Sequence, residues 1–307
     1  MPDAGNAAEA SLSLLITGAS SQIGGCLIAR ILAANGTVIA CSRKPQRGGK
    51  SGIRWIQLDL ERPLPEGLPP DPHDLIHLAP LPLLPARVEE LAGRGIRRLI
   101  AIGSTSRYSK VDSGHPGERE VARRLASAES VLADRCEAAG VVWTIFRPTL
   151  IYGVGQDQNV SAIARFVSRY RFYPLAGEGS GLRQPVHADD LAHACLLALH
   201  NPRTHGKAYN LAGGEVLSYR DMVSRVFASV GLPPRFIRLP PRLLRATLRL
   251  AAWLPRLQYL TPDMANRMNL DLCFDFSPAA DDFGYSPRPF DPPRITRGHP
   301  GRAELQI

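Results

Sequence analysis

The chain has 307 residues, 44% of them hydrophobic, enough to bury a large core as one domain with a smaller lobe. Its formal net charge is +9, but only Lys44, Lys50, Lys110 and Lys207 of the 37 basic residues are lysine, and the arginines are scattered without a run of five or six; this reads as compositional bias and predicts no nucleic-acid partner. Five separated cysteines (Cys26, Cys41, Cys136, Cys195, Cys273) with no CxxC pair argue against a zinc site and a disulfide framework, and no metal is expected.

The acid-bearing first ten residues do not resemble a signal peptide, and no run of eighteen apolar residues offers a transmembrane segment. These features predict a soluble protein of the reducing cytoplasm. From Leu12 the run LSLLITG is apolar and ends in a turn signal, which predicts a buried strand, with a helix to follow over about 22–35. Further strands are expected at 37–42, 53–58, 74–78, 98–103 and 143–147, with a long helix over 118–139 before the last. Strands alternating with helices predict an α/β fold, a doubly wound parallel sheet covered on both faces.

Beyond Gly153 the alternation loosens and proline and arginine become frequent, apart from a helix at 188–200 and a strand at 208–211. The expected division is a Rossmann-type domain over 1–155 to which 183–213 returns, and a C-terminal lobe of loops and short helices over 156–182 and 214–307.

The segment TGASSQIGG, between the first strand and its helix, carries the strongest chemistry. A pyrophosphate needs backbone N–H groups at the positive end of a helix, with glycines where a side chain would block its approach. Gly18 supplies the tight turn and Gly24 the close helix–sheet contact, and Ser20, Ser21, Gln22 and Ile23 complete the cradle. The alternative is an ordinary βα turn; the strand before and the helix after favour a nicotinamide dinucleotide. The turn is expected to be open enough for a side chain at Gly18 to block the cofactor without disturbing the fold. At the end of the second strand, where an acid would bond the ribose 2′-hydroxyl of NAD, stand Ser42, Arg43 and Lys44, so NADP is expected rather than NAD. A solvated basic turn is the competing reading.

Six motifs in one order, TGASSQIGG, IGSTSRY, FRPTLIYG, RQPVHADDLAHA, AYNLAGGEVLSYRDM and FGYSPRPF, together resemble the extended short-chain dehydrogenase/reductase family, the NAD(P)-dependent epimerase/dehydratase group. The resemblance covers nearly the whole chain. It implies a Rossmann sheet of about seven strands, a smaller C-terminal substrate lobe and a cleft between them. It further implies that Asp59 and Leu60 lie near the adenine, Ala79 near the ribose or pyrophosphate, and Pro148 beside the nicotinamide.

In that family a Ser or Thr ends the fifth strand and a Tyr-xxx-Lys pair follows on the next helix, the tyrosine moving a proton at the substrate oxygen while the lysine lowers its pKa. Ser104 holds the serine position. The residues four after the eight tyrosines are Asp112, Gln156, Pro174, Gly177, Gly213, Val223, Asp263 and Pro289, so no Tyr-xxx-Lys exists in this chain. Aligning Glu129 with the acid that follows the family's lysine places Val121 and Leu125 where tyrosine and lysine belong, and the loop before the helix is short for the family. Tyr108, which matches a residue the family often keeps for structural reasons, Lys110 and His115 are the candidate replacements.

Arg183 stands where nucleotide-sugar enzymes of the family place an arginine on the substrate diphosphate, which would suit an anionic small-molecule substrate; the alternative is an ion pair with Asp189 or Asp190. Leu150 occupies the position of those enzymes' asparagine. Residues 243–257 form an arginine-faced amphipathic pattern whose leucines pack on the lobe or, as a minority reading kept alive by atypical relatives attached to respiratory complex I, lie on a membrane surface. A homodimer stays open. Three functions compete: an atypical NADP-dependent oxidoreductase or epimerase-like enzyme, a non-catalytic dinucleotide-binding sensor or assembly protein, and a nucleotide-sugar epimerase, the last disfavoured by Val121, Leu125 and Leu150.

Overall fold

A computed structural model describes residues 13–46, 51–68, 73–155, 157, 159–251 and 263–294. The N-terminal half runs β1 (Ser13–Thr17), α1 (Gln22–Ala33), β2 (Thr37–Ser42), β3 (Ile53–Gln57), β4 (Asp74–His77), α2 (Val88–Gly93), β5 (Arg98–Ile102), α3 (Ser106–Ser109), α4 (Pro116–Ala138) and β6 (Val142–Pro148). It continues with β7 (Ile151–Tyr152), α5 (Val160–Tyr170), β8 (Tyr173–Ala176), β9 (Leu182–Arg183), β10 (Val186–His187), α6 (Ala188–Leu199) and β11 (Lys207–Leu211). The remainder is β12 (Leu217–Ser218), α7 (Tyr219–Ser229), β13 (Phe236–Leu239), α8 (Pro241–Ala251), α9 (Asp263–Arg267) and α10 (Ser277–Phe283).

Seven strands form one parallel sheet in the order β11-β6-β5-β4-β1-β2-β3. Its faces follow from the two-residue period of a strand. Leu14, Ile16, Ile76 and Ile100 turn to the side covered by α1 and α6, whereas Leu15, Leu75, Leu99 and Ala101 turn to the side covered by α2 and α4. Both faces are buried, so these strands read as continuous apolar runs rather than alternating ones. Burying each such leucine or isoleucine contributes about 1.5–3 kcal/mol.

A buried arginine ties the covering layer to the sheet. Arg98, at the start of β5, donates to the Ala198 and Leu199 carbonyls at the end of α6 and to the hydroxyls of Thr144 and Thr204. Those carbonyls have no partner within the helix, so the guanidinium serves as a C-terminal cap. Burial pulls its pKa down to about 10.

A third core lies outside the sheet, built from Val160, Ile163 and Val167 of α5, Leu175 of β8, and Met222, Val226 and Phe227 of α7. Here the structure departs from the loops and short helices expected. α5 and α7 are each 11 residues long, and a side chain satisfies a first-turn N–H group in each, Asp157 from before the N-cap of α5 and Ser218 as the N-cap of α7. Asp157 accepts from the Ser161 N–H and hydroxyl, while the Ser218 hydroxyl accepts from the Asp221 N–H. In α8, Leu244 is buried in this third core while Leu243 is exposed; residues 252–257 of the amphipathic pattern, and the side chains of 247–251, lie outside the described residues. Among the described residues no helix is long and apolar enough to cross a membrane.

The short strand pairs fold the second half of the chain back over the sheet. β7 pairs with β10 and β9 with β12, and Arg183 bridges to Leu272, so residues near 150, 183 and 272 converge beside the C-terminal ends of β5 and β6.

Candidate active site

In an open parallel sheet the crevice forms where strand order reverses, beyond the carboxyl ends of the strands. That point lies between β1 and β4. Gly18 follows β1 with φ +70°, and a Cβ there would sit 2.5 Å from the Ala79 backbone nitrogen just after β4. The expectation that a side chain at Gly18 would spare the fold is therefore overturned, because the added carbon meets backbone rather than open space. A Cβ on Gly24 would strike the Ala19 carbonyl, so the close approach is between the helix and the turn that precedes it rather than between helix and sheet.

Ser21 caps α1 by accepting from the Gly24 N–H at 3.2 Å, and Ser20 is exposed beside it. Ile23 is turned into the core. The Gln22 Oε1 atom is buried without a hydrogen-bond partner. The glycine-lined cradle, the helix N-terminus without an acid in its first turn and this orphan acceptor fit a dinucleotide.

The second strand reaches the same crevice, since Thr17 pairs with Cys41 and the Ala19 N–H donates to the Cys41 carbonyl. Ser42 is buried and its hydroxyl donates to the Lys44 carbonyl, whereas Arg43 and Lys44 are exposed, with no acidic partner among the described residues. Asp59 is half-buried and accepts from the Glu61 N–H, and Leu60 packs into the core beneath α2. Pro148 ends β6 and accepts from both the N–H and the hydroxyl of Thr105. His77, fully buried at the end of β4, lies 2.8 Å from the Thr17 hydroxyl; burial depresses its pKa to about 4.

Next to the crevice opens a cleft of about 430 Å3, whose walls include Gln22, Ser104, Thr149, Arg183 and Phe274. Ser104 Oγ accepts from the Ser106 N–H, which leaves its hydroxyl hydrogen for a ligand. The structure thus brings Ser104, Gln22 and Arg183 together. Tyr108 is not part of the cleft wall, but its ring stacks at 5.9 Å on Phe274, which is. The Tyr108 hydroxyl accepts from Arg147 at 2.7 Å and the Arg107 guanidinium lies over its ring. Both arginines are held by Glu129, which is buried and whose Oε1 has no partner. His115 is exposed at the start of α4. Val121 is 42% exposed, and Leu125 packs against the core cluster beneath α4.

Arg183 pairs with neither acid considered for it. Asp189 is held by Arg30 and Arg288, and Asp190 by Arg288, on the α1–α6 side of the sheet. Arg183 instead donates to the Leu182, Leu270 and Arg267 carbonyls and stacks 5.2 Å over Tyr219. Burial pulls its pKa below the usual value.

Two further cations enter the cleft. Lys110 follows α3 and Arg267 ends α9, and both face Glu118 in the first turn of α4. Burial raises the Glu118 pKa, but hydrogen bonds from Ser113 and Arg267 outweigh it and leave the carboxyl below its usual value. Sequence reasoning missed Arg267. A five-residue helix carries no periodic signal, and only the folded chain brings it across to α4.

The NAD dependent epimerase/dehydratase family model matches residues 83–212. The subunit "NADH dehydrogenase (ubiquinone) 1 alpha subcomplex subunit 9, mitochondrial" of Arabidopsis thaliana is 30% identical over 142 residues, 45% of this chain and 34% of that protein. The 2-alkyl-3-oxoalkanoate reductase of Stenotrophomonas maltophilia is 30% identical over 181 residues, 54% of this chain and 53% of that protein. The chain thus spans about half the length, or less, of these relatives. In fold it superposes on the UDP-glucuronic acid 4-epimerase of Bacillus cereus, solved with UDP-glucuronic acid and NAD, with a TM-score of 0.66, 17% identity and coverage of 90% of this chain and 94% of that one. Residues 83–212 are thus similar to the NAD dependent epimerase/dehydratase family, and the seven-strand parallel sheet is the fold of that solved structure.

Proposed function

We propose that the chain is an NADP(H)-dependent oxidoreductase of small carbonyl or alcohol compounds whose proton-transfer groups depart from those of its family. One observation carries the reading. Ser104 and Gln22, one at the end of the sheet and one in the dinucleotide turn, line the same cleft, so a substrate oxygen and a cofactor would meet there. The turn from Gly18 to Gly24 holds the pyrophosphate, Asp59 and Leu60 flank the adenine, and Ala79 and Pro148 border the ribose and nicotinamide. Arg43, assisted by Ser42 and Lys44, takes the 2′-phosphate through its planar fork.

When bound, the cofactor supplies or accepts a hydride at the substrate carbon. Ser104 donates its free hydroxyl hydrogen to the substrate oxygen. Tyr108 is assigned the proton: its oxygen accepts from Arg147, which leaves its own O–H to donate, and because it stands behind Phe274 rather than on the cleft wall the proton passes to the substrate oxygen through one bridging water, while the guanidinium offsets charge that develops on the phenol. Glu129 fixes Arg147 in place. No lysine tunes the phenol, so turnover is slow, by a factor on the order of 10²–10⁴ against a site with a fully placed acid. A 3-oxo acid is one substrate of the required kind, and the Stenotrophomonas relative is named for reducing such compounds.

The second reading, a dinucleotide-binding protein without turnover, is favoured by exposed Val121 and core-packed Leu125 where the family alignment puts a phenol and an amine. The mitochondrial subunit relative is consistent with it. A nucleotide-sugar substrate is least supported, because three of the five Arg183 hydrogens already go to backbone carbonyls.

The test is NADPH consumption with a 3-oxo acid by the wild type, Ser104→Ala and Tyr108→Phe. The first reading expects slow turnover that drops at least about tenfold in each variant while NADPH affinity holds. NADPH binding with no turnover selects the second reading, and no NADPH binding removes both.

A further inference from the structure

We propose that the cleft selects a substrate bearing a carboxylate, and that Lys110 and Arg267, yoked by Glu118, are the pair that binds it. The proposal deepens the oxidoreductase reading and rests on it for the identity of the site.

The charges on the cleft wall point one way. Among the described residues its cations are Lys110, Arg183 and Arg267, and its one acid is Asp157. That acid is occupied, its oxygens accepting from the N–H groups of Asn159 and Ser161 and from the Ser161 hydroxyl. Among the described residues Arg183 has no carboxylate partner, and three of its five hydrogens, both on Nη1 and one on Nη2, go to backbone carbonyls, so it adds positive potential with most of its fork already engaged.

Lys110 and Arg267 are different. They share one carboxylate, with Arg267 2.5 Å and Lys110 4.0 Å from Glu118 Oε1. One negative charge between two cations leaves a surplus of one. Lys110 stands beyond hydrogen-bond distance of Glu118, so its three ammonium hydrogens remain available to a ligand. Arg267 binds Glu118 through Nη1 alone, which leaves its Nη2 side for a second acceptor.

A monoanion that bridges the two would neutralise the surplus and pin the lobe helix α9 to the loop after α3. A carboxylate has that charge and the planar pair of oxygens an arginine and a lysine can share. A diphosphate would bring more negative charge than this pair can offset, and the arginine expected to take it already gives three of its five hydrogens to backbone carbonyls.

The test uses 3-hydroxyoctanoate and its methyl ester, titrated calorimetrically into the full chain without cofactor, with NADPH titrated separately into the same preparations. The acid is expected to bind at least about tenfold more tightly than the ester. Lys110→Met and Arg267→Met should each remove that preference while NADPH affinity is unchanged. Lys110→Met keeps the Arg267–Glu118 pair, so it reports on binding even if Arg267→Met fails to fold. Equal affinity for acid and ester, including no measurable binding of either, overturns the proposal, as does stronger competition by UDP or inorganic phosphate than by the acid. If the acid binds as expected and NADPH does not, the carboxylate site stands and the oxidoreductase reading falls.

Discussion

Gly18 and Ala79 meet across the point where strand order reverses, so closely that a Cβ on Gly18 would lie 2.5 Å from the Ala79 nitrogen. The contact joins the turn after β1 to the end of β4, and both walls of the crevice depend on it. Gly18→Ala forces a left-handed residue to carry a side chain and pushes the two strand ends apart, at a cost of about 1–3 kcal/mol. Urea unfolding should show that loss together with weakened dinucleotide binding; a variant as stable as the wild type would show that the turn relaxes freely.

Arg43 carries the expected preference for NADPH. Charge-assisted bonds to a 2′-phosphate are worth about 1.5–3 kcal/mol, so Arg43→Ala should lose at least about tenfold in NADPH affinity and leave NADH binding unchanged. Titration calorimetry with both cofactors measures this. Equal affinities for the two in the wild type would contradict it.

His77 makes stability depend on pH. Burial lowers its pKa from 6.5 to about 4, so between those values the unfolded chain takes up a proton that the folded chain refuses. Stability is fully present above pH 6.5 and falls as pH drops towards 4, by about 3 kcal/mol from this residue over the whole window. Urea unfolding above neutral pH and at about pH 4.5 should show a smaller pH difference in His77→Gln than in the wild type. Identical differences would mean that His77 is not the group refusing the proton.

Restoring the family's pair is expected to achieve little. Val121→Tyr with Leu125→Lys supplies the missing groups, but Leu125 packs against the core, the loop before α4 is short, and a proton donor must be placed within about half an ångström. NADPH consumption by the double variant should rise less than about tenfold, against the 10²–10⁴ a well-placed acid contributes. A larger gain would show that the site lost only these two side chains.

The first βα unit was legible because its signals are local: an apolar run, a glycine at a positive φ, a serine cap and a helix follow one another within twenty-one residues, Ser13 to Ala33. The parallel sheet followed from the same strand–helix alternation, and its seven strands from the family resemblance. The cleft was less legible. Arg183 could be singled out, but its partners Arg267 and Leu270 lie more than eighty residues away and are brought in by a single bridge to Leu272. β7, β9, β10 and β12 have two residues each, too few to show a period. α5 was hidden because its N-cap residue, Asn159, makes no side-chain cap bond, and Asp157, which accepts from the Ser161 N–H instead, sits in a glycine-bearing segment that reads as loop.

Binding of a nicotinamide dinucleotide's pyrophosphate at the N-terminal turn of α1 is tested most directly by Ser21→Asp. Aspartate caps a helix as well as serine does and favours the positive helix end, so the fold should keep or slightly gain stability. The same carboxylate stands where the pyrophosphate must lie. Calorimetric titration with NADPH should give clear binding to the wild type and a loss of at least about a hundredfold in Ser21→Asp, with an unchanged or raised melting temperature. NADPH binding equally well to both proteins, or to neither, would contradict the account.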